Sequence, residues 1–262
     1  MMHLVLSLVT VMTTVTVVVQ SAELVSQLNS PDEIARRQAV AELDRKIAAD
    51  VLGLADESIQ EALVSVLELE NARILENVAA FRQTGRSTLG EAYGEYYAQL
   101  LGLADKVRAG GLATANTERA TRLRRALVLG AYNPESDFAK EIAREGESIV
   151  PWVVELTKRS DAPSRWNGYA LIGEIFAAQE KGLVRAPLSP SSASSLRVTA
   201  RAGLLDPASD VRIWAIFAVA SARDRDAIPL LSRLAESDPD TDTGPAKYSV
   251  RSRAADALRR IR

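Results

Sequence analysis

The feature that most constrains this chain is a local pattern occurring four times: an arginine, a small residue three positions on, and an apolar residue seven positions on. It reads Arg36, Ala39 and Leu43, then Arg165, Gly168 and Ile172, then Arg212, Ala215 and Val219, and finally Arg251, Ala254 and Leu258. The position four after each arginine holds Val40, Tyr169, Ile216 or Ala255. These positions share one face of an α-helix, so each copy is a packing stripe whose small residue admits a neighbouring helix at close range. A second segment repeats behind it: Ile149 to Leu156 matches Ala227 to Leu234, with Pro151 and Pro229 in a first helical turn, where proline is tolerated. Those prolines lie 78 residues apart, twice the 39 that separate Arg212 from Arg251. One helix pair cannot bury its own apolar face, so units repeating at this spacing must stack and share a continuous core.

The rest of the chain agrees with an all-α reading. Only 5% of residues are aromatic, whereas Ala, Leu, Arg and Glu are abundant, a helix-former's composition. Ser30 and Pro31 ahead of Asp32 and Glu33 signal a helix start, with Ser30 as cap and the acids facing the helix dipole. Periodicity predicts helices over about 30–49, 57–82, 88–108, 117–131, 135–145, 147–159, 164–180, 193–205, 208–222, 226–237 and 247–261. Gly110 and Gly111 read as a helix stop. The stretch from Lys181 to Ser195 is either a long inter-helix loop or a soft boundary inside one solenoid, and Asp238 to Pro245 is a second loop.

The run Asp210-Val211-Arg212-Ile213-Trp214-Ala215-Ile216, then Ala227-Ile228-Pro229-Leu230-Leu231, then Tyr248 to Leu258, resembles the HEAT-repeat family, including short bacterial repeats similar to those of phycobilisome lyases. The resemblance is good over 147–262, fair over 30–82 and poor over 85–135. It implies an α-solenoid of stacked antiparallel helix pairs, irregular in its middle third. It also implies a hydrogen-bonded ladder between repeats, in which Asp210 and Arg212, with Asp161, Arg165 and Arg251, hold structural roles. After an N-terminal segment read from its own residues as a signal at 1–22, the organisation it suggests is degenerate repeats at 23–146 and better-formed repeats at 147–262 continuous with them. Repeats of this kind say little about function, beyond offering an extended surface suited to gripping another protein.

Chemistry is limited by what is missing. There is no cysteine, and the single histidine is His3. No Cys/His zinc site, catalytic thiol or histidine-based serine triad can therefore be built beyond residue 3. With 32 basic against 34 acidic residues, the chain lacks the basic excess expected of a phosphate binder, which disfavours nucleic acid. No glycine-rich nucleotide loop and no cofactor motif is present. The apolar run Leu4 to Val19, followed by Ser21 and Ala22, fits an export signal better than a membrane span of about 20 apolar residues. It lacks the usual positive residues ahead of it, and its β-branched richness also suits a strand or a misassigned start. The expected location is periplasmic or extracellular, with a cytoplasmic protein as the alternative and membrane contact only if residues 4–19 stay uncleaved.

Several clusters invite two readings. Tyr93, Tyr96 and Tyr97, among Glu91 and Glu95, form either a recognition surface or a packed helix face. Trp166 beside Asn167 either lines a groove or packs between repeats, as do Trp152 and Trp214. Arg119, Arg122 and Arg125 make an anion-binding stripe or a face paired to acids, and the arginines of 251–262 invite the same choice. Asp238, Asp240, Asp242 and Gly244 approach a calcium loop but fail its spacing, with Ser249 where a bidentate glutamate belongs. Glu68, Glu70 and Glu76 supply carboxylates with no evident base or metal partner. The reading these features favour is a non-catalytic scaffold that binds another protein; a lyase-like enzyme or enzyme subunit, and a membrane-tethered structural subunit, are the alternatives.

Overall fold

The computed structural model describes residues 22–49, 56–84, 89, 91–112, 117–130, 137–240 and 249–261. Among them there is no strand. The helices are α1 (residues 22–28), α2 (Glu33–Ala48), α3 (Glu57–Thr84), α4 (Glu91–Val107), α5 (Glu118–Gly130), α6 (Asp137–Ala143), α7 (Val150–Thr157), α8 (Ala162–Glu180), α9 (Pro190–Gly203), α10 (Ser209–Ser221), α11 (Ile228–Ser237) and α12 (Val250–Ile261). The expected signal segment, apart from Ala22, and the loop residues Asp242 and Gly244 lie outside the described residues.

The chain divides into two compact units at Gly130 and Ala131, upstream of the 146/147 boundary suggested by the repeats. The difference arises because α6 packs on α8 and so belongs with the second unit. In the first unit α3 packs against α4 and α5, and α2 against α4. Leu43, Leu63, Leu67, Leu100, Leu123 and Leu127 fill its core. The second unit is layered. Helices α6, α8, α10 and α12 contact one another in order, while α7, α9 and α11 lie behind them, each paired with a helix of the first layer. That is a stack of helix pairs, built as the repeat requires: Ala39, Gly168, Ala215 and Ala254 are all buried. At Gly168 an added Cβ would stand 3.0 Å from the backbone nitrogen of Thr157, so only glycine allows α7 and α8 this approach.

The repeated arginines share one hydrogen-bonding geometry. Arg36 donates through Nη1 to the carbonyls of Ser30 (2.8 Å) and Pro31 (2.9 Å), six and five residues back. Arg165 does the same to Arg159 (3.2 Å) and Ser160 (2.6 Å), and Arg212 to Asp206 (2.9 Å) and Pro207 (3.1 Å). The other edge of each guanidinium grips a carboxylate from the next helix pair: Glu70 for Arg36, Asp206 for Arg165, Asp238 for Arg212. In the second unit the links join into a chain. Asp206 takes Arg165 on its side chain and Arg212 on its carbonyl; Asp238 takes Arg212 on its side chain and Arg251 on its carbonyl, the last at 2.7 Å. The carboxylates are thus those of the two Asp-Pro turns. Asp210 lies in the first turn of α10, and the carboxylate that Arg212 holds is not its own. Asp161 caps α8, accepting from the Ser164 nitrogen at 2.7 Å.

Three local details differ from expectation. The cap of α2 is Asp32, accepting from the Ile34 nitrogen, in place of Ser30, because Arg36 occupies the Ser30 carbonyl and Ser30 Oγ accepts from the Asp32 nitrogen instead. Helix α9 starts at Pro190 with Ser189 as cap, so four of the serines expected in a loop are helical. They are held there by Glu147, which accepts from Ser189 and Ser192 and fastens the start of α9 to the turn before α7. Gly110 and Gly111 do not stop the helix at once; a π-helical turn, Arg108–Leu112, runs through them.

Candidate functional site

Two features of the structure carry enough chemistry to be weighed as sites, one in each unit. In the first, the three tyrosines that the sequence offered as a binding surface are buried: Tyr93 is 2%, Tyr96 4% and Tyr97 8% exposed. They continue down α4 into Leu100, Leu103, Ala104 and Val107, all buried, so the tyrosines begin the core-facing stripe of that helix. Their hydroxyls turn to α3. Tyr93 donates to Glu70 Oε2 at 2.7 Å and Tyr96 to Oε1 at 3.1 Å, while Tyr97 donates to Asn71, whose amide donates to the Ala126 carbonyl at 2.8 Å. Burial, with Glu70 close by, pushes the hydroxyls of Tyr93, Tyr96 and Tyr97 well above the ordinary tyrosine range.

Glu70 is itself fully buried, and Arg36 and Arg73 also donate to it. Two arginines and two tyrosines occupy the acceptor directions that a carboxylate possesses. A general base needs a lone pair directed at its substrate, and Glu70 has its oxygens engaged by the protein. The cluster is therefore a structural hub that joins α2, α3 and α4. Arg119 and Arg122 are likewise structural: they cross from α5 to Glu57, Glu61 and Glu68 on α3, where hydrogen bonding by Glu68 and Glu61 holds Arg122 more firmly charged.

The second feature is a half-open groove of ≈ 350 Å³ in the second unit. That size lies within the range of sites that seat ligands or side chains, about 300–1,000 Å³. Its floor is α10, which contributes Ile213, Trp214, Ile216, Phe217 and Ala220. One wall carries Lys140 from α6 and Glu174 from α8; the other carries Arg253, Asp256, Ala257 and Arg260 from α12. The floor exists because of a glycine. A Cβ on Gly173 would come within 2.4 Å of the Phe217 ring, so the missing side chain lets that ring lie against α8. Trp214 meets Phe217 edge-on at 5.8 Å between centroids and stacks on Trp166 at 6.2 Å. The sequence-selected Trp166 therefore extends the aromatic row on α10, while Trp152 lines no part of the groove.

Electrostatically the groove is mixed. Glu174 is half-buried, and burial pushes its carboxyl above the usual carboxylate range, with Lys140 and Lys181 pulling it partly back. Asp256 is paired with Arg259. Among the described residues no group of three or more His, Cys, Asp and Glu side chains is placed to hold a metal ion.

Two consequences can be measured. Gly173→Ala is expected to drive the Phe217 ring off α8, destabilising the second unit by about 1–3 kcal/mol as overpacking does and changing the fluorescence of neighbouring Trp214; urea unfolding followed by tryptophan emission reads both. Glu174 carries a raised carboxyl, so the stability it contributes is present below the ordinary glutamate range and lost as pH rises through its folded-state value. Glu174→Gln should accordingly match the native protein near pH 4 and exceed it at pH 7, compared by chemical denaturation at the two pH values. A native protein equally stable relative to the variant at both would contradict the assignment.

No protein-family model matches the sequence, and no curated protein does. Solved structures to which the chain is similar include an engineered protein, 20% identical, covering 91% of this chain and 95% of its own with a TM-score of 0.45. Another is a designed armadillo repeat protein at 17% identity, 92% and 99% coverage and a TM-score of 0.44. A third is a designed armadillo repeat protein in complex with the peptide (KR)4, at 16% identity, 92% and 98% coverage and a TM-score of 0.47. By its own helix pairing and arginine chain, the second unit is an all-α stack of repeated helix pairs.

Proposed function

We propose that this chain is a non-catalytic scaffold that holds another protein, and that the partner lies along the α8–α10–α12 face of the second unit. The observation that carries this reading is the groove itself: a floor that includes Trp214 and Phe217, the latter packed against α8 at Gly173, bordered by both signs of charge. Partly exposed aromatic side chains such as Trp214 and Phe217, ringed by polar groups, are the usual composition of an interface centre. The fully buried carboxylate Glu70, which a catalytic reading would look to first, is already engaged by protein donors and so is not open to a substrate. The test is capture of the tagged protein from its own cells beside a Trp214→Ala variant of matched stability. The scaffold reading expects a specific protein to be recovered with the native chain and reduced at least tenfold with the variant. Recovery of a small molecule alone would replace it with a ligand carrier or enzyme.

Export stays part of the proposal, resting on the apolar run from Leu4 to Val19. Among the described residues no helix is long and apolar enough to cross a membrane. Sequencing the N-terminus of the native protein decides between them: a chain starting near Ala22 or Glu23 supports export, and one retaining residues 4–19 opposes it.

A further inference from the structure

Resting on the groove as the partner's seat, we infer that the α8–α9 connection, residues 181–189, is a clasp that sets the groove's width by holding α6, with Arg185 as its positioning residue. Helix α6 has seven residues, too few to stay helical or in place without tertiary contacts. Ala139, Ile142 and Ala143 are buried, and α8 is its main packing partner among the described helices. Lys140 on the same helix forms part of one groove wall. Where α6 sits therefore decides how far that wall stands from Arg253 and Arg260 on α12. Apolar burial against α8 is non-directional and does not by itself fix the tilt of so short a helix.

The directional contacts come from the connection. Arg185 donates through Nη1 to Glu145 at 2.6 Å and through Nη2 to Glu141, and its backbone nitrogen donates to the Arg144 carbonyl at 2.6 Å. Charge-assisted bonds from one planar guanidinium to two carboxylates fix direction as well as distance. One residue on, the Ala186 carbonyl accepts from the Glu147 nitrogen at 2.9 Å. The connection thus lies against the end of α6 and the turn that follows it. Gly146 permits this. Its φ of 62° favours glycine, and an added Cβ would collide with the Ala186 carbonyl oxygen. The far end of the connection is anchored elsewhere: the Leu188 nitrogen donates to Gln179 Oε1 on α8 at 2.9 Å, and Ser189 caps α9. Helix α6 is therefore tied across to α8 and α9 through Arg185, which itself lines no part of the groove.

The chain has no cysteine, so spin labels can be placed one pair at a time. The experiment is double electron–electron resonance on the full-length protein with nitroxides at Lys140→Cys and Arg260→Cys, one on each wall. A control pair at Val198→Cys on α9 and Arg260→Cys spans the unit without α6. The native connection should give one narrow distance distribution across the groove. Arg185→Ala should at least double its width, and Arg185→Lys, which keeps the charge, should recover half or more of the narrowing. Arg185 is 47% exposed, so its removal should leave the fold and the control distance intact. Gly146→Ala should widen the groove distribution by a second route, through the Ala186 backbone. An unchanged distribution in both Arg185→Ala and Gly146→Ala overturns the clasp. Equal broadening of the control pair also overturns it, because the connection then holds the whole unit together rather than one wall. Cellular capture separates this from the scaffold reading. A partner that depends on Trp214 but is held undiminished by Arg185→Ala keeps the scaffold and removes the clasp from binding. A groove that broadens in a protein that captures no partner keeps the clasp and removes the scaffold.

Discussion

Glu70→Ala is expected to be the most damaging single substitution in the first unit, costing about 3–5 kcal/mol, the range for breaking a buried ion pair from one side. The cost comes less from the lost attraction than from what is left behind. Arg36 is 3% exposed and would keep its charge with its Nε and Nη2 donors unpaired, and the Tyr93 and Tyr96 hydroxyls would lose their acceptor. Glu70→Gln retains one oxygen and should cost less. Replacing both partners, as Arg36→Met with Glu70→Leu, should recover most of the loss, because the buried charge is then gone rather than stranded. Hydrogen exchange by mass spectrometry locates the effect: lost protection should centre on α2, the second half of α3 and the start of α4. If the double variant is as unstable as Glu70→Ala, the hub is not the buried pair described.

Asp238→Ala should have an effect of the same size in the second unit. Arg212, 7% exposed, loses the partner of both Nε and Nη2, at 2.9 and 2.7 Å, and keeps only the two carbonyls of its own turn. About 3–5 kcal/mol is again the expected scale. The Arg251 contact, made to the Asp238 carbonyl, should persist. The informative comparison is Asp210→Ala, which leaves the Arg212–Asp238 pair in place and should cost less than Asp238→Ala. Urea denaturation of both variants separates the two assignments, and equal costs would return the ladder role to Asp210.

Those two predictions mark where the sequence was legible and where it was not. The arginine–small–apolar stripe was readable because it depends only on helix periodicity, and the structure buries Ala39, Gly168, Ala215 and Ala254 behind it. The arginine's partner was not readable by proximity, since Asp210 is two residues from Arg212 and Asp238 is twenty-six. A carboxylate that joins repeats must come from the next repeat, so the Asp-Pro turns at Asp206 and Asp238 were the better candidates. The tyrosines were misplaced for a related reason. Residues 93, 96, 97, 100, 103, 104 and 107 form one unbroken helical stripe, a core signal that outweighs the interface preference of tyrosine. Glu70 likewise falls in line with Leu63, Val66 and Leu67 on α3, and a carboxylate on an apolar stripe implies buried donors to meet it.

The groove was only half legible. A lone Glu174 between Ile172, Gly173, Ile175 and Phe176 is an anomaly visible in the sequence, and Arg253 and Arg260 sit one heptad apart. What no periodicity conveys is that Gly173 meets Phe217 from another helix, because that contact depends on how α8 and α10 stack. Trp166 was selected from sequence on its position near a helix start; Trp214, which lines the floor, shared that position and belonged with it.

The most direct test of the scaffold account is photo-crosslinking from the groove in living cells, with a photoreactive amino acid in place of Ile213 on its floor and, as control, in place of exposed Lys158. The account predicts a discrete protein adduct from position 213 that is lost on adding Trp214→Ala and is absent from position 158. The same adducts from both positions, or none from position 213 in cells where the protein is abundant, would contradict it.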